Sequence, residues 1–182
     1  LDVTITWKIE AAGKIDADIA VTKDDEFPDL PRFGVRMFLD KKLSAVRYFG
    51  MGPQESYCDK HQAASHGLYQ ANVDDLHEDY IRPQENGSHY DCEYVELNNS
   101  RYGIVVSAEN AFSFNASYYT QEELEEKTHN YELTESDSVV FCVDYALNGI
   151  GSNSCGPVVL EQYRFDDVLF RFQFTLIPYI KG

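Results

Sequence analysis

Positive charge is what this sequence has least of. Its 182 residues carry 15 Lys and Arg against 31 Asp and Glu, a net charge of −16. A field of that sign repels phosphate backbones and anionic headgroups, so nucleic acid and anionic membrane surfaces are excluded as partners. No apolar run approaches the 18 or more residues of a spanning helix, and no secretory leader precedes the first strand pattern. The chain opens at Leu1 without a starting Met, which reads as a piece of something longer. Four cysteines (Cys58, Cys92, Cys142 and Cys155) show neither C-x-x-C spacing nor a regular framework. That argues against a zinc site or a disulfide scaffold and for reduced thiols in a reducing compartment, the cytoplasm. The five histidines form no H-E-x-x-H, no G-x-S-x-G elbow occurs, and Gly149-x-Gly151 precedes no helix pattern. Zinc-protease, serine-hydrolase and phosphate-binding readings therefore fall away, and the histidines read as lone surface residues.

Aromatic residues are plentiful, with 13 Tyr and 11 Phe. Such side chains suit a pleated, half-buried surface. Val3, Ile5, Trp7 and Ile9 alternate with polar residues, Gly13 punctuates, and Ile15, Ala17, Ile19 and Val21 alternate again. This predicts an antiparallel hairpin with one buried face. The acidic, proline-bearing stretch from Lys23 to Pro31 reads as a loop, and Pro31 to Leu39 resumes as strand. Val46 to Phe49 reads as strand broken at Gly50, Gly52 and Pro53, with an irregular crossover from Asp59 to Tyr69. Asn86-Gly87 is the strongest short hairpin signal. Tyr90, Cys92, Tyr94 and Glu96 alternate beyond it, and Tyr102 to Ala108, Phe112 to Tyr118, Val139 to Tyr145 and Phe170 to Leu176 follow as further strands, the last ended by Pro178. Thr120-Gln121-Glu122-Glu123 is a capping box, predicting one short helix to about Lys127. Ten to twelve short strands and a single helix define an all-β, antiparallel sandwich or barrel, a single domain over 1–182.

Three motifs stand apart from this pattern. V-R-Y-F-G-M-G-P-Q-E-S-Y runs from Val46 to Tyr57, P-Q-E-N-G from Pro83 to Gly87, and G-I-G-S-N-S-C-G-P from Gly149 to Pro157. With the strand opening Pro31-Arg32-Phe33-Gly34, they resemble, in order, the C-terminal domain of glycoside hydrolase family two β-galactosidases, also called the β-galactosidase small chain. The resemblance implies a large β-sandwich (a supersandwich of galactose-mutarotase-like kind) forming the C-terminal part of a longer multidomain enzyme. It further implies retaining hydrolysis of terminal β-D-galactosides, with the catalytic glutamates on a separate barrel domain or large subunit. Magnesium and sodium would belong to that full-length, homo-oligomeric enzyme, with no cofactor in this domain.

Within the chain, glycoside hydrolysis would need two carboxylates flanking the scissile bond. Glu55 and Glu85 are the tempting pair, each in a Pro-Gln-Glu turn, but the neighbouring turn-forming residues favour a role in locking loop shape. The chain alone is therefore expected to be inactive. The Gly149 to Pro157 loop is the best candidate for sugar contact. Asn153 and Ser154 offer hydrogen-bonding groups, and Cys155 stands where the resembled family often has a stacking tryptophan. Two other classes stay open: a free-standing carbohydrate-binding module, and a structural interaction domain whose acidic face docks on other chains.

Overall fold

In a computed structural model of the chain, residues 1–150 and 158–181 are described, and Asn153, Ser154 and Cys155 lie outside them. Nine strands occur among the described residues: β1 (Asp2–Ile9), β2 (Ile15–Thr22), β3 (Arg32–Asp40), β4 (Ala45–Gly52), β5 (Ser65–Asn72), β6 (Ser88–Asn98), β7 (Tyr102–Ser117), β8 (Ser138–Leu147) and β9 (Leu169–Ile180). All pair antiparallel, giving the all-β, sandwich-like architecture expected. The strands run in the order β1-β2-β9-β7-β6-β4-β5, with β3 joined through β8 to β7.

The 16-residue β7 organises the sheet. Its first half, Tyr102 to Ser107, pairs with β9, and its second half, Ser113 to Ser117, pairs with β8. One strand thus splits the sheet into two arms, whose inner faces supply Phe170, Phe172 and Phe174 from β9, Phe112 and Phe114 from β7, and Phe141 and Val143 from β8 to one core. The count falls below ten to twelve because the two runs at Tyr102 to Ala108 and Phe112 to Tyr118 are one continuous strand. Likewise β9 passes through Pro178 to Ile180, where Pro178 sits opposite Ile104.

Gly50 does not break β4 as its sequence suggested. It stays in the ladder opposite Gly67, and a Cβ there would collide with Cys92 on the neighbouring strand β6. The glycine is a close-approach residue rather than a terminator. The supposed crossover from Asp59 contains the start of β5, an edge strand of polar and small residues whose exposure leaves little alternation to read. Asn86-Gly87 makes no hairpin either. It ends a stretch of bends, with Gly87 at φ +71° leading into β6.

The helix is where the capping pattern put it, α1 at Gln121–Glu126. Thr120 Oγ1 accepts from the Glu123 N–H at 3.1 Å. The reciprocal half of the box is absent, because Glu123 Oε1 instead accepts from the Thr134 N–H at 2.8 Å. Thr120→Ala should lower the unfolding free energy by about 1 kcal/mol in chemical denaturation, the usual cost of losing an N-cap.

The β1–β2 hairpin forms in the predicted register, Val3 opposite Val21 and Trp7 opposite Ala17. Only half of it is buried as expected. Ala17, Ile19 and Val21 enter the core, while Val3, Ile5, Trp7 and Ile9 remain 44–72% exposed. They extend the core-facing side of the sheet past the point where any described element covers it.

Candidate functional site

The sequence motifs converge at one end of the sheet. Glu55, just after β4, reaches across to the second Pro-Gln-Glu turn, where its Oε2 accepts from the Gly87 N–H at 2.8 Å. Its Oε1 accepts from Lys60 Nζ and from the Tyr80 hydroxyl. The backbones join as well, Ser56 N–H donating to Ser88 O at 2.7 Å and Tyr90 N–H to Ser56 Oγ at 2.9 Å. Burial pushes the Glu55 carboxyl up, but the Lys60, Tyr80 and Gly87 donors outweigh it and hold the group below its ordinary range. A carboxylate with every oxygen committed is a strut, not a proton donor.

Glu85 serves a different strut. Arg32, at the start of β3, donates through Nε and Nη2 to both oxygens of Asp144 on β8, at 2.8 and 2.7 Å, and through Nη1 to Glu85 at 3.2 Å. The Asp144 side chain is 2% exposed. Burial lifts the carboxyls of Asp144 and Glu85 above their usual values against the pull of Arg32. Burial alone would lower Arg32, yet Asp144 and Glu85 raise it further, so the guanidinium stays charged. The pairing depends on Gly34, where the β3–β8 register shifts and a Cβ would collide with the Asp144 carboxylate and the Val143 carbonyl. That explains the Pro31-Arg32-Phe33-Gly34 signature in physical terms: a fork-shaped cation placed two residues before a missing side chain.

The base of the third loop is tied to the same end. Asn148 N–H donates to Pro31 O at 3.0 Å, Gly149 N–H to Tyr163 O at 2.9 Å and Ile150 N–H to Asp59 Oδ1 at 3.0 Å. Asn148 Oδ1 in turn accepts from the Phe165 N–H at 3.1 Å. Beside this base lies a cavity of about 460 Å³ whose walls include Tyr90, Asp91, Tyr145 and Tyr163. Nothing in the alternation of the sequence pointed to it, because its walls come from five separated segments, near residues 57, 90, 111, 146 and 165.

One residue was misread outright. His89 is not a surface histidine: it is 1% exposed, stacked on Tyr48 at 4.5 Å between ring centroids and tilted against Phe114 at 5.0 Å. Burial drives its pKa down to about 4, against weak upward pulls from the Gln54 backbone and the Glu55 charge. The β6 alternation failed because the β6–β7 register shifts on both sides of Cys92, so His89, Cys92, Val95 and Leu97 are the residues that turn inward.

No group of three or more His, Cys, Asp or Glu side chains placed to hold a metal ion occurs among the described residues, and none of their helices is long and apolar enough to cross a membrane. What this end of the sheet offers is a set of locked turns framing a loop. Fold and site together define an all-β sandwich module with a set of locked turns at one end of its sheet. The family model for the β-galactosidase small chain matches residues 1–176. The chain is 50% identical to a β-galactosidase of Actinobacillus pleuropneumoniae over 97% of its own length and 17% of that protein. It is 39% identical to a β-galactosidase of Staphylococcus xylosus over 95% of this chain and 17% of that protein, and 31% identical to one of Streptococcus thermophilus over 98% and 18%. The chain belongs to the β-galactosidase small chain family and spans about a sixth of the length of these relatives.

Proposed function

We propose that this chain is the C-terminal sandwich of a β-galactosidase that hydrolyses terminal β-D-galactosides, and that it docks on the large catalytic region and shapes the substrate mouth. The observation that carries the docking is the apolar stripe of β1. Val3, Ile5, Trp7 and Ile9 lie on the face that β2 buries, yet remain 44–72% exposed, and β1 pairs with β2 alone among the described strands. Trp7 touches the core only edge-on, at 6.2 Å from Phe174. A core-facing stripe left uncovered, together with an unpaired strand edge, is a surface built to be completed by another part of an assembly. The relatives, about six times longer than the matched segment and named β-galactosidases, supply the large region as the occupant.

In this reading both catalytic glutamates, and any Mg²⁺ or Na⁺, belong to the large region, and the enzyme is a cytoplasmic homo-oligomer. The 149–157 loop meets the sugar, with Asn153 and Ser154 hydrogen-bonding and Cys155 forming a small apolar wall. Struts of the Glu55 and Arg32 type fit that role, since a loop that positions substrate must be held in place.

The test is reconstitution. Mixing the chain with a fragment carrying the barrel should restore hydrolysis of a chromogenic β-galactoside that neither piece performs alone. Ile5→Glu, at an exposed position, should leave the chain folded by circular dichroism and cut the restored rate at least tenfold. Turnover by the chain alone, or restoration indifferent to Ile5→Glu, overturns the reading.

A further inference from the structure

We propose that the cavity of about 460 Å³ beside the third loop is an accessory binding site for a neutral pyranose sugar. Its volume falls in the roughly 300–1,000 Å³ range of small-molecule sites. The walls combine aromatic rings (Tyr90, Tyr145, Tyr163) with planar hydrogen-bonding side chains (Asp91, Asn110, Arg164). A pyranose presents one apolar C–H face and a ring of hydroxyls, and those are the two chemistries that such a wall satisfies. The choice of a sugar over another polyol rests on the reading that the enzyme acts on galactosides.

Charge argues for a neutral occupant. Asp91 and Asp167 line the cavity, balanced by Arg164 and Arg171, and Arg171 is already engaged with Asp18. Neither an anion nor a cation finds an unopposed partner. The hydroxyls of Tyr90 and Tyr163 and the amide of Asn110 have no protein partner among the described residues, so donors and acceptors are open to a ligand. Burial first, then the neighbouring Asp91, Cys58 and Tyr163, hold the Tyr90 phenol above its ordinary pKa, keeping it a neutral donor.

Asp91 supplies an independent observation. It is the one non-glycine residue with positive φ among the described residues, at +55°, and it sits in the register shift between His89 and Cys92. Strained residues and bulges that re-aim a side chain concentrate at binding sites, where function outweighs local comfort. Here the distortion places Asp91 on the cavity wall, and its carbonyl accepts from His66 Nε2 at 3.0 Å. The cavity is also coupled to the loop, because Tyr163, one of its walls, receives the Gly149 N–H.

The experiment is an NMR titration of the full chain with methyl β-D-galactopyranoside, with glycerol and myo-inositol as controls. Saturable shifts centred on the amides of Tyr90, Asn110 and Tyr163, absent with glycerol and weaker with inositol, are expected. Tyr163→Ala should weaken binding tenfold or more. Asp91→Gly should do the same while leaving the melting temperature equal or higher, since glycine adopts that backbone freely. No saturable shift, equal response to glycerol, or unchanged affinity in both variants overturns the proposal. None of the lining comes from β1, so a failed reconstitution and a failed titration are separate results.

Discussion

Arg32→Met should cost about 3–5 kcal/mol of unfolding free energy, the range for stripping one partner from a buried ion pair. The reason is what stays behind. Asp144, 2% exposed, loses both guanidinium donors at once, and Glu85 loses the cation that reaches it at 3.2 Å. Water cannot easily replace the guanidinium, because the Gly34 backbone lies directly against the carboxylate. The effect should depend on pH in a definite direction. Burial already raises the folded-state values of Asp144 and Glu85, and without Arg32 they rise further. A carboxyl whose folded value lies above its unfolded one favours the fold at acid pH and opposes it as pH climbs. The deficit of the variant should therefore be largest near neutrality and shrink toward pH 4. Adding Asp144→Asn to Arg32→Met should recover a sizeable part of the loss at pH 7, since the uncompensated charge disappears. Arg32→Lys should fall between, because an ammonium cannot reproduce the two-pronged contact. Urea denaturation with unchanged m-values checks the series; a loss below 1 kcal/mol for Arg32→Met would mean the network carries little.

The same network shows what could and could not be seen in the sequence. Strands with strict alternation were legible: β2 and β9 expose one face and bury the other over most of their length, so Ile19 and Phe172 declare themselves. The helix start was legible too, because Thr120 acts locally on Glu123. The motifs could be recognised but not explained. That Arg32 needs Gly34 and Asp144, or that Glu55 reaches Gly87, depends on contacts 112 and 32 residues apart, which no local pattern encodes. Errors clustered where the ladder is irregular. Two register shifts in β6 left its alternation without a readable buried face, and a polar edge strand, β5, looked like a loop. The exposed stripe of β1 was invisible for the opposite reason: its alternation is that of a buried strand, yet no described element covers it.

His89 turns one of those register shifts into a measurable acid sensitivity. Neither ring nitrogen has a well-formed hydrogen bond, and the ring is enclosed by Tyr48 and Phe114. In the unfolded chain the imidazole takes a proton near pH 6.5, whereas in the fold burial defers this to about pH 4. Between those values the unfolded state holds one more proton than the native state, so stability falls as pH is lowered through the window and levels off below it. A depression of that size corresponds to about 3 kcal/mol, a large share of the 5–15 kcal/mol that typical domains possess. Glu55, held below its ordinary range by Lys60 and Tyr80, adds acid sensitivity at lower pH, where its carboxylate is protonated and those bonds weaken. The two can be separated by substitution. His89→Phe keeps a flat ring between Tyr48 and Phe114 and removes both unpaired nitrogens, so stability at pH 7 should be equal or higher. Its stability should also be flat from pH 6.5 to about 5, with the decline retained only below that. His89→Leu gives the same flattening without requiring an aromatic fit. If wild type and both variants lose stability in parallel between pH 6.5 and 4.5, the buried imidazole is not what makes this sandwich acid-labile.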